Sequence, residues 1–376
     1  MKVYFDNAAT TAIDQEVLDT MLPHMQNTFG NPSSTHSFGR EAKATLEMAR
    51  KQVAKAINAL PGEVYFTSGG TESDNTAIRG LIKAYGINHI ITTLIEHHAV
   101  SHTVEELEKT GQVSVTYLKV NEQGEIDFNE LEEKLKEYPN SLVTLMHANN
   151  EIGNLLDLPK VGALCEQYGA KLHSDTVQTV GHFMIDVKEL KVDTLAGSAH
   201  KFHGPKGVGF LYVRKGSKMQ PLITGGGQER EMRSGTENLG SIVGLGKALE
   251  LAIEHMDQHT AYIKELKEYM KGQLLEKIEG VTFNGLSGDL ENSLYTVLNV
   301  SLPPIAQKDM LLFMLDLNGV AVSGGSACSS GAQQGSHVIA ELGGDPERTS
   351  IRFSFSKYNR KEEVDFAIEQ LLKVIS

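Results

Sequence analysis

The stretch Val64-Tyr65-Phe66-Thr67-Ser68-Gly69-Gly70-Thr71-Glu72-Ser73-Asp74 sets the pattern of the fold. Its first four residues are β-branched or aromatic and favour a strand, two glycines make a tight turn, and polar residues then open a helical pattern. Similar β-rich runs recur between helical stretches from about residue 40 to 255, at 89–93, 113–118 and 142–146. This alternation predicts an α/β domain with a mostly parallel central sheet.

The order of elements changes in the last third of the chain. A long helical pattern covers about 241–275, and the elements that follow are a strand at 295–302, a helix at 308–317, strands at 319–322 and 350–355, and a helix from 361. We interpret this part as a smaller α+β domain. The predicted division is a large domain over 15–256 and a small domain made of 1–14 plus 257–376, with a cysteine-bearing loop at about 323–335.

Composition and charge exclude several classes of protein. The 376 residues carry 35 Lys and Arg against 48 Asp and Glu, a formal charge of -13 that repels nucleic acid and anionic lipid. No apolar run reaches the roughly 20 residues that span a bilayer, and no signal-peptide core precedes the first charges. The two cysteines, Cys165 and Cys328, cannot form a disulfide framework. We therefore expect a cytoplasmic protein with no membrane or direct nucleic-acid partner.

The glycine turn at 68–71 is a candidate phosphate site. A tight turn that enters a helix presents free backbone N–H groups and the positive end of the helix dipole. The turn has neither the GxxxxGK[ST] spacing of a P-loop nor the GxGxxG of a dinucleotide fold, so a plain strand-to-helix turn remains an alternative. The sequence Gly244-Leu245-Gly246-Lys247 is a weaker candidate because it lies within a helical pattern.

Two further residues, Asp175 and Lys201, are candidates for binding the same molecule as the glycine turn. Asp175 closes the run 170–174, so it should lie at the carboxyl end of a strand, where ligands bind in open parallel sheets. Lys201 lies between small residues and the turn Gly204-Pro205, where desolvation would favour a neutral, nucleophilic amine. An ordinary solvated loop lysine is the alternative. A phosphate seat, a carboxylate and an amine are together the parts that pyridoxal phosphate needs.

Nine motifs spread over nearly the whole chain: DNAATT at 6–11, NPSS at 31–34, SGGTE at 68–72, EHH at 96–98, NNEIG at 149–153, SAHK at 198–201, RSGTEN at 233–238, SAC at 326–328 and IRFS at 351–354. As a set, in this order, they resemble the cysteine desulfurases of NifS/IscS type, members of the class V aminotransferase family. The resemblance implies a fold-type-I pyridoxal-phosphate-dependent transferase, α/β with a mostly parallel central sheet and a smaller α+β domain.

The resemblance also implies how pyridoxal 5'-phosphate would be held. Lys201 would form the Schiff base and move the substrate's α-proton, Asp175 would keep the pyridine nitrogen protonated, and His97 would stack on the ring and act in proton transfer. Further cofactor contacts are implied for Gln178 at the ring oxygen, for Asn150, and for Gly70, Thr71, Ser198 and His200 at the phosphate. Thr236 would reach the phosphate of the neighbouring subunit, which makes the protein a homodimer.

The implied reaction converts L-cysteine to L-alanine. Arg352 would clamp the substrate's α-carboxylate, with Asn150 nearby. Cys328 lies in the small, polar segment 323–335, and its thiolate would take the substrate sulfur as a persulfide. The length of that segment resembles the desulfurases that pass the persulfide directly to an acceptor, such as an iron–sulfur scaffold or a tRNA thiolation protein. Cys165, in a helical apolar run, is interpreted as a core residue.

Other interpretations stay open from the sequence alone. His97, His98 and His102 could form a metal cluster, although no HExxH set accompanies them and we expect no metal. A selenocysteine lyase or an aminotransferase of the same fold is the nearest enzyme alternative, and Cys328 argues against both. A non-catalytic sulfur-carrier or assembly subunit is the alternative from another class. Such a subunit would have no chemical need for the complete set of Lys201, Asp175, His97, Cys328 and Arg352.

Overall fold

The computed structural model describes residues 1–325 and 335–375. Its strands are β1 (Val3–Tyr4), β2 (Val64–Thr67), β3 (His89–Thr93), β4 (Ser114–Leu118), β5 (Ser141–Thr144), β6 (Lys171–Asp175), β7 (Thr194–Ser198), β8 (Gly209–Val213), β9 (Thr282–Phe283), β10 (Val297–Leu302), β11 (Val320–Ala321) and β12 (Thr349–Ser354). Cys328 and the rest of the segment 326–334 lie outside the described residues.

The α-helices are α1 (Gln15–Asn27), α2 (Ser37–Ala56), α3 (Gly70–Tyr85), α4 (His98–Lys109), α5 (Phe128–Glu137), α6 (Leu158–Tyr168), α7 (Val187–Leu190), α8 (Leu239–Glu254), α9 (Met256–Lys277), α10 (Leu311–Leu317), α11 (His337–Glu341) and α12 (Lys361–Ile375). Short 3-10 helices cover Pro61–Glu63, Ala199–Lys201, Gln228–Glu231 and Lys308–Met310. Among the described residues, no helix combines the length and the apolar character needed to cross a membrane.

The central sheet has the order β2-β8-β7-β6-β5-β3-β4. Its neighbours pair in parallel, except that β8 runs antiparallel to both β2 and β7. The prediction of a mostly parallel sheet is therefore confirmed. Every residue of β3, β7 and β8 is buried, because helices cover both faces of such a sheet. One of these helices, α3, is capped after Tyr85 by Gly86, whose φ of 62° is a left-handed conformation that glycine adopts without strain.

A second layer of structure forms from the two ends of the chain. Strand β10 pairs antiparallel with β9 and β12, and helices α9, α10 and α12 supply much of the apolar core beside this sheet. Strand β1 pairs with β11, and Val3 and Phe5 belong to the same core. The amino-terminal residues thus pack with the carboxyl-terminal part of the chain.

The long helical pattern at 241–275 is not one helix. The structure divides it into α8 and α9 at His255, whose φ of -108° and ψ of 13° depart from helical values. Helix α8 is mostly apolar and buried, while α9 exposes much of its surface, so the two halves pack against different surroundings. The break lies next to residue 256, where the sequence placed the domain boundary.

Candidate active site

A cleft lies at the carboxyl ends of the parallel strands β6 and β7, beside the start of helix α3. The residues predicted for the site that line it are Gly70, Thr71, His97, Asn150, Asp175, Gln178, Ser198, His200, Lys201 and Arg352. Thr236 is exposed and is not among the residues that line this cleft. Parallel strands all end at the same edge of a sheet, and this edge therefore collects residues that are far apart in the sequence.

The first turn of α3 forms one end of the cleft. The backbone N–H groups of a first helical turn have no partner within the helix and favour an anion. A Cβ atom on Gly70 would lie 2.7 Å from Cγ2 of Val177, so only glycine lets the chain approach this closely. His200 lies at the same cleft, where burial and two nearby lysines lower the pKa of its imidazole to about 4. A neutral His200 can still donate one hydrogen bond.

Lys201 projects from the 3-10 helix that follows β7 toward the amino-terminal segment. Its Nζ donates hydrogen bonds to the carbonyl oxygens of Ala8 and Ala9, the latter at 3.0 Å. Gln178 Nε2 donates to the same Ala8 oxygen at 3.0 Å. The segment 6–11 therefore forms one wall of the cleft and holds the amine in place, a contact that the sequence alone did not reveal.

Asp175 is backed by two further buried acids, Asp74 and Glu96, which sequence reasoning missed. Its own Oδ1 accepts a hydrogen bond from the backbone N–H of Val177 at 2.9 Å. Burial, together with the neighbouring carboxyl groups, raises the pKa of both Asp74 and Glu96 well above their ordinary values. Both acids therefore favour the neutral form.

Asp74 also connects α3 to the strand that carries Asp175. Its Oδ1 lies 3.2 Å from Nε2 of His173 on β6, and His173 Nδ1 lies 2.9 Å from Thr194 Oγ1 on β7. Burial lowers the pKa of His173 to about 3, so this ring is neutral. The signal available in the sequence was the spacing, since Asp74 follows Gly70 by one helical turn.

Arg352 on β12 enters the cleft from the carboxyl-terminal part of the chain. Its side chain is 1% exposed, Nη1 donates to the Asn150 carbonyl at 2.8 Å, and Nη2 donates to Asp6 Oδ1 at 2.8 Å. Its Nε is buried and has no hydrogen-bond partner among the described residues. A buried guanidinium N–H of this kind fits a carboxylate ligand.

The segment with the predicted persulfide cysteine begins beside Arg352. Ser323, five residues before Cys328, exchanges backbone hydrogen bonds with Arg352: Arg352 N–H donates to Ser323 O at 2.6 Å, and Ser323 N–H donates to Arg352 O at 3.3 Å. The residues that lead into the segment 326–334 therefore lie beside the strand that carries the arginine. Cys328 itself stays a prediction.

His97 caps the start of α4, where its Nδ1 accepts a hydrogen bond from the Ala99 N–H at 3.1 Å. The rings of His98 and His102 stack with their centroids 4.5 Å apart, and His337 lies 4.6 Å from His98. Within residues 1–325 and 335–375, no three His, Cys, Asp or Glu side chains are arranged to hold a metal ion. The histidine-rich motif therefore offers no described metal centre.

Cys165 lies in the core, as the apolar pattern around it indicated. It is 1% exposed and packs in the cluster that also contains Leu172 and Leu195. Burial, with a smaller contribution from Asp193, raises the pKa of its thiol to about 12. This cysteine is therefore unsuited to act as a thiolate.

The family model, the similar sequences and the similar structures all indicate the same kind of protein. The chain matches the family model described as Aminotransferase class-V over residues 3–366. It is 44% identical to cysteine desulfurase IscS of Dictyoglomus turgidum, over 100% of this chain and 94% of that protein. A solved structure of a NifS-like protein matches with a TM-score of 0.91 and 37% identity, covering 100% of this chain and 99% of the other. A structure of SspA in complex with cysteine matches with a TM-score of 0.82 and 33% identity, covering 96% and 100%.

Proposed function

Because this chain belongs to the class-V aminotransferase family and is an L-cysteine desulfurase, we propose that it binds pyridoxal 5'-phosphate in the cleft and carries sulfur on Cys328. The observation that carries the proposal is that Lys201, Asp175 and the first turn of α3 line one cleft. An amine, a carboxylate and an anion seat match the aldehyde, the ring nitrogen and the phosphate of this cofactor. The close approach at Gly70 and the buried acids behind Asp175 support the fit.

When bound, pyridoxal phosphate supplies an electron sink for bonds broken at the substrate's α-carbon. Lys201 would hold the aldehyde of the cofactor and move the substrate's α-proton, since its amine projects into the same cleft. Asp175 would hold the ring nitrogen, His97 and Gln178 would contact the ring, and the first turn of α3, with Ser198 and His200, would hold the phosphate.

Arg352 binds the α-carboxylate of L-cysteine. Its two Nη atoms are held by the Asn150 carbonyl and by Asp6, so the guanidinium is ordered before L-cysteine arrives and binding costs little side-chain entropy. Asn150 contributes its backbone carbonyl to this arrangement and lines the cleft itself. The amino-terminal motif at 6–11 thus supports both the amine and the carboxylate clamp.

Cys328 receives the sulfur. Its thiolate attacks the sulfur of the substrate, so that a sulfur–sulfur bond forms and the carbon–sulfur bond breaks. The electron pair of the broken bond stays with the substrate's β-carbon, which takes a proton and becomes the methyl group of L-alanine. The persulfide then passes to an acceptor protein, either a scaffold for iron–sulfur clusters or a protein of tRNA thiolation. We further propose a cytoplasmic homodimer in which Thr236 reaches the partner's phosphate.

A direct test of the cofactor site uses Lys201→Ala. Purified protein should be yellow with pyridoxal phosphate, and the variant should lose this colour because only the Lys201 amine conjugates with the aldehyde. Lys206→Ala, five residues further along, is the matched control and should stay yellow. A colourless unaltered protein that stays colourless with added pyridoxal phosphate would contradict the assignment of the cofactor. Selenocysteine lyase and aminotransferase activity are not favoured, because the relatives are named cysteine desulfurases.

A further inference from the structure

The segment that leads to Thr236 contains an unusual stretch of backbone. Glu229, Arg230 and Glu231 follow one another with φ values of 44°, 56° and 67°. Residues with a Cβ atom rarely adopt this left-handed region, and three in succession require support from their surroundings. The segment is therefore held in a conformation that its own backbone does not favour.

A buried ion pair provides this support. Arg50 on α2 donates to both carboxylate oxygens of Glu229, at 2.7 and 2.8 Å, and the two side chains are 2% and 1% exposed. Glu229 Oε2 also accepts the Phe66 N–H at 2.8 Å, and Arg50 Nη1 donates to the Val64 carbonyl at 2.8 Å. Both charges are thus fully hydrogen-bonded between α2 and strand β2.

A second ion pair fixes the segment closer to Thr236. Arg233 Nε donates to Glu72 Oε1 at 2.9 Å, and Glu72 Oε2 accepts the Ser68 N–H at 2.9 Å. The segment is therefore tied to the phosphate turn of its own chain. Thr236, three residues further on, is nevertheless exposed and does not line that chain's cleft.

We propose that Arg50 and Glu229 are positioning residues for the phosphate site of a second copy of this chain. By holding residues 229–231 in the left-handed conformation, they present Thr236 in advance to the partner subunit. Preorganisation of this kind raises affinity because the segment is already ordered before it meets the phosphate. The inference rests on the proposed function, which places Thr236 at the partner's cofactor.

The first variant to test is Glu229→Gln, which keeps the shape of the side chain and removes its charge. We expect the homodimer to bind pyridoxal phosphate with a dissociation constant about tenfold higher, read from the Schiff-base absorbance rather than from turnover. Arg50→Met with Glu229→Met keeps the volume of the pair without a buried unpaired charge, and it should show the same loss if Glu229→Gln folds poorly. Glu106→Gln, which alters the partly exposed pair with Arg79, is the matched control.

Hybrid dimers separate a positioning role from a general loss of stability. When a Glu229→Gln chain is paired with a Lys201→Ala chain, the cleft that retains Lys201 is served by an unaltered segment. We expect its affinity to return to within about twofold of the unaltered protein. When an unaltered chain is paired with a Lys201→Ala/Glu229→Gln chain, the cleft that retains Lys201 is served by the altered segment, and the loss should persist.

The opposite result would overturn the proposal: Glu229→Gln would then weaken cofactor binding in the cleft of its own chain and not in the cleft of the partner. Unaltered affinity in both homodimeric variants would overturn it as well. Thr236→Ala in the same two hybrids tests the proposed function separately. If Thr236→Ala also weakens cofactor binding only in the cleft of the chain that carries it, the proposal that Thr236 reaches the partner's phosphate is wrong. If that loss appears in the partner's cleft while the Glu229→Gln loss does not, only the role of Arg50 and Glu229 is wrong.

Discussion

Arg352 Nη2 donates a 2.8 Å hydrogen bond to Asp6 Oδ1, which joins two residues 346 positions apart in the chain. The backbones are also connected nearby, since Asp6 forms an isolated β-bridge with Ser354 on β12. Asp6 therefore fixes the guanidinium of an arginine that lines the cleft. Through this contact the amino-terminal motif supports the arginine that we propose to bind the substrate, although Asp6 itself does not line the cleft.

Replacing Asp6 with Asn should weaken the binding of L-cysteine more than it slows the chemical steps. The variant loses a charge-assisted hydrogen bond worth about 1.5–3 kcal/mol, and Arg352 loses its fixed orientation. We expect KM for L-cysteine to rise about tenfold while kcat changes less, as measured by steady-state alanine formation. Asp19→Asn on α1 is the matched control, and an unchanged KM in the Asp6 variant would refute the role of this pair.

Asp175→Asn should keep the cofactor and lose most of the activity. The variant can still fill the site, but it removes the charge-assisted hydrogen bond to the ring nitrogen and weakens the electron sink, so kcat should fall about a hundredfold. Absorbance measures retention of the cofactor, and alanine formation measures the rate. Asp193→Asn, a buried acid beside the same sheet, is the control. Near-normal turnover in Asp175→Asn would show that the ring nitrogen lies elsewhere.

Much of the site was predictable because short motifs at the ends of parallel strands converge. Asp175 and Lys201 were recognised from their positions after β-rich runs, and the structure brings both into one cleft. Asp74 and Glu96 were not recognised, since their neutral form results from burial behind Asp175, which no local pattern encodes. The contact between Asp6 and Arg352 was not predicted either, because it joins residues 346 positions apart in the chain.

In the fold, too, the elements set by local sequence patterns were predicted, and the features set by tertiary packing were not. The strand runs and most helical patterns were visible in the sequence, because hydrophobic period and glycine turns are local. The break at His255 between α8 and α9 was not visible, since both halves carry a helical pattern and the break follows from their packing on different surroundings. The left-handed conformation at 229–231 also escaped prediction, because a buried ion pair imposes it on residues that do not favour it.

Lys267 on α9 should give the protein a specific dependence of stability on pH. The side chain is buried, with Nζ donating to Ser293 Oγ at 2.8 Å, and burial lowers its pKa from 10.5 to about 7. Between these two values the unfolded chain binds a proton that the folded chain does not. The free energy of unfolding should therefore rise with pH across this window, and below it the contribution should be flat.

Lys267→Met should remove this rise. Urea unfolding at about pH 7 and about pH 9 should show the wild-type protein gaining about 2 kcal/mol relative to the variant. Lys277→Met, in the exposed last turn of α9, is the control and should follow the wild type. Parallel pH profiles for wild type and Lys267→Met would mean that the lysine is not titrating in the folded protein.

The two cysteines should react at very different rates with an alkylating reagent. Cys165 is buried and its thiol pKa is raised to about 12, so it should stay unlabelled in the native protein at neutral pH. Peptide mass spectrometry after a limiting dose should find the label on Cys328, with activity lost in proportion. Labelling of Cys165 before Cys328 in folded protein would contradict the core position of one cysteine and the catalytic role of the other.

Sulfur transfer to Cys328 is measured most directly by a reaction with L-cysteine in the absence of any other thiol. With about one equivalent of L-cysteine per chain, so that no excess thiol removes the persulfide, the unaltered protein should release about one alanine per chain, and mass spectrometry should find one added sulfur atom on the Cys328 peptide, because the thiolate accepts the sulfur of one substrate molecule. Cys165→Ala should behave in the same way, whereas Cys328→Ala should retain its yellow cofactor and form neither alanine nor persulfide. If Cys328→Ala releases alanine from L-cysteine at the rate of the unaltered protein, sulfur transfer to Cys328 is wrong.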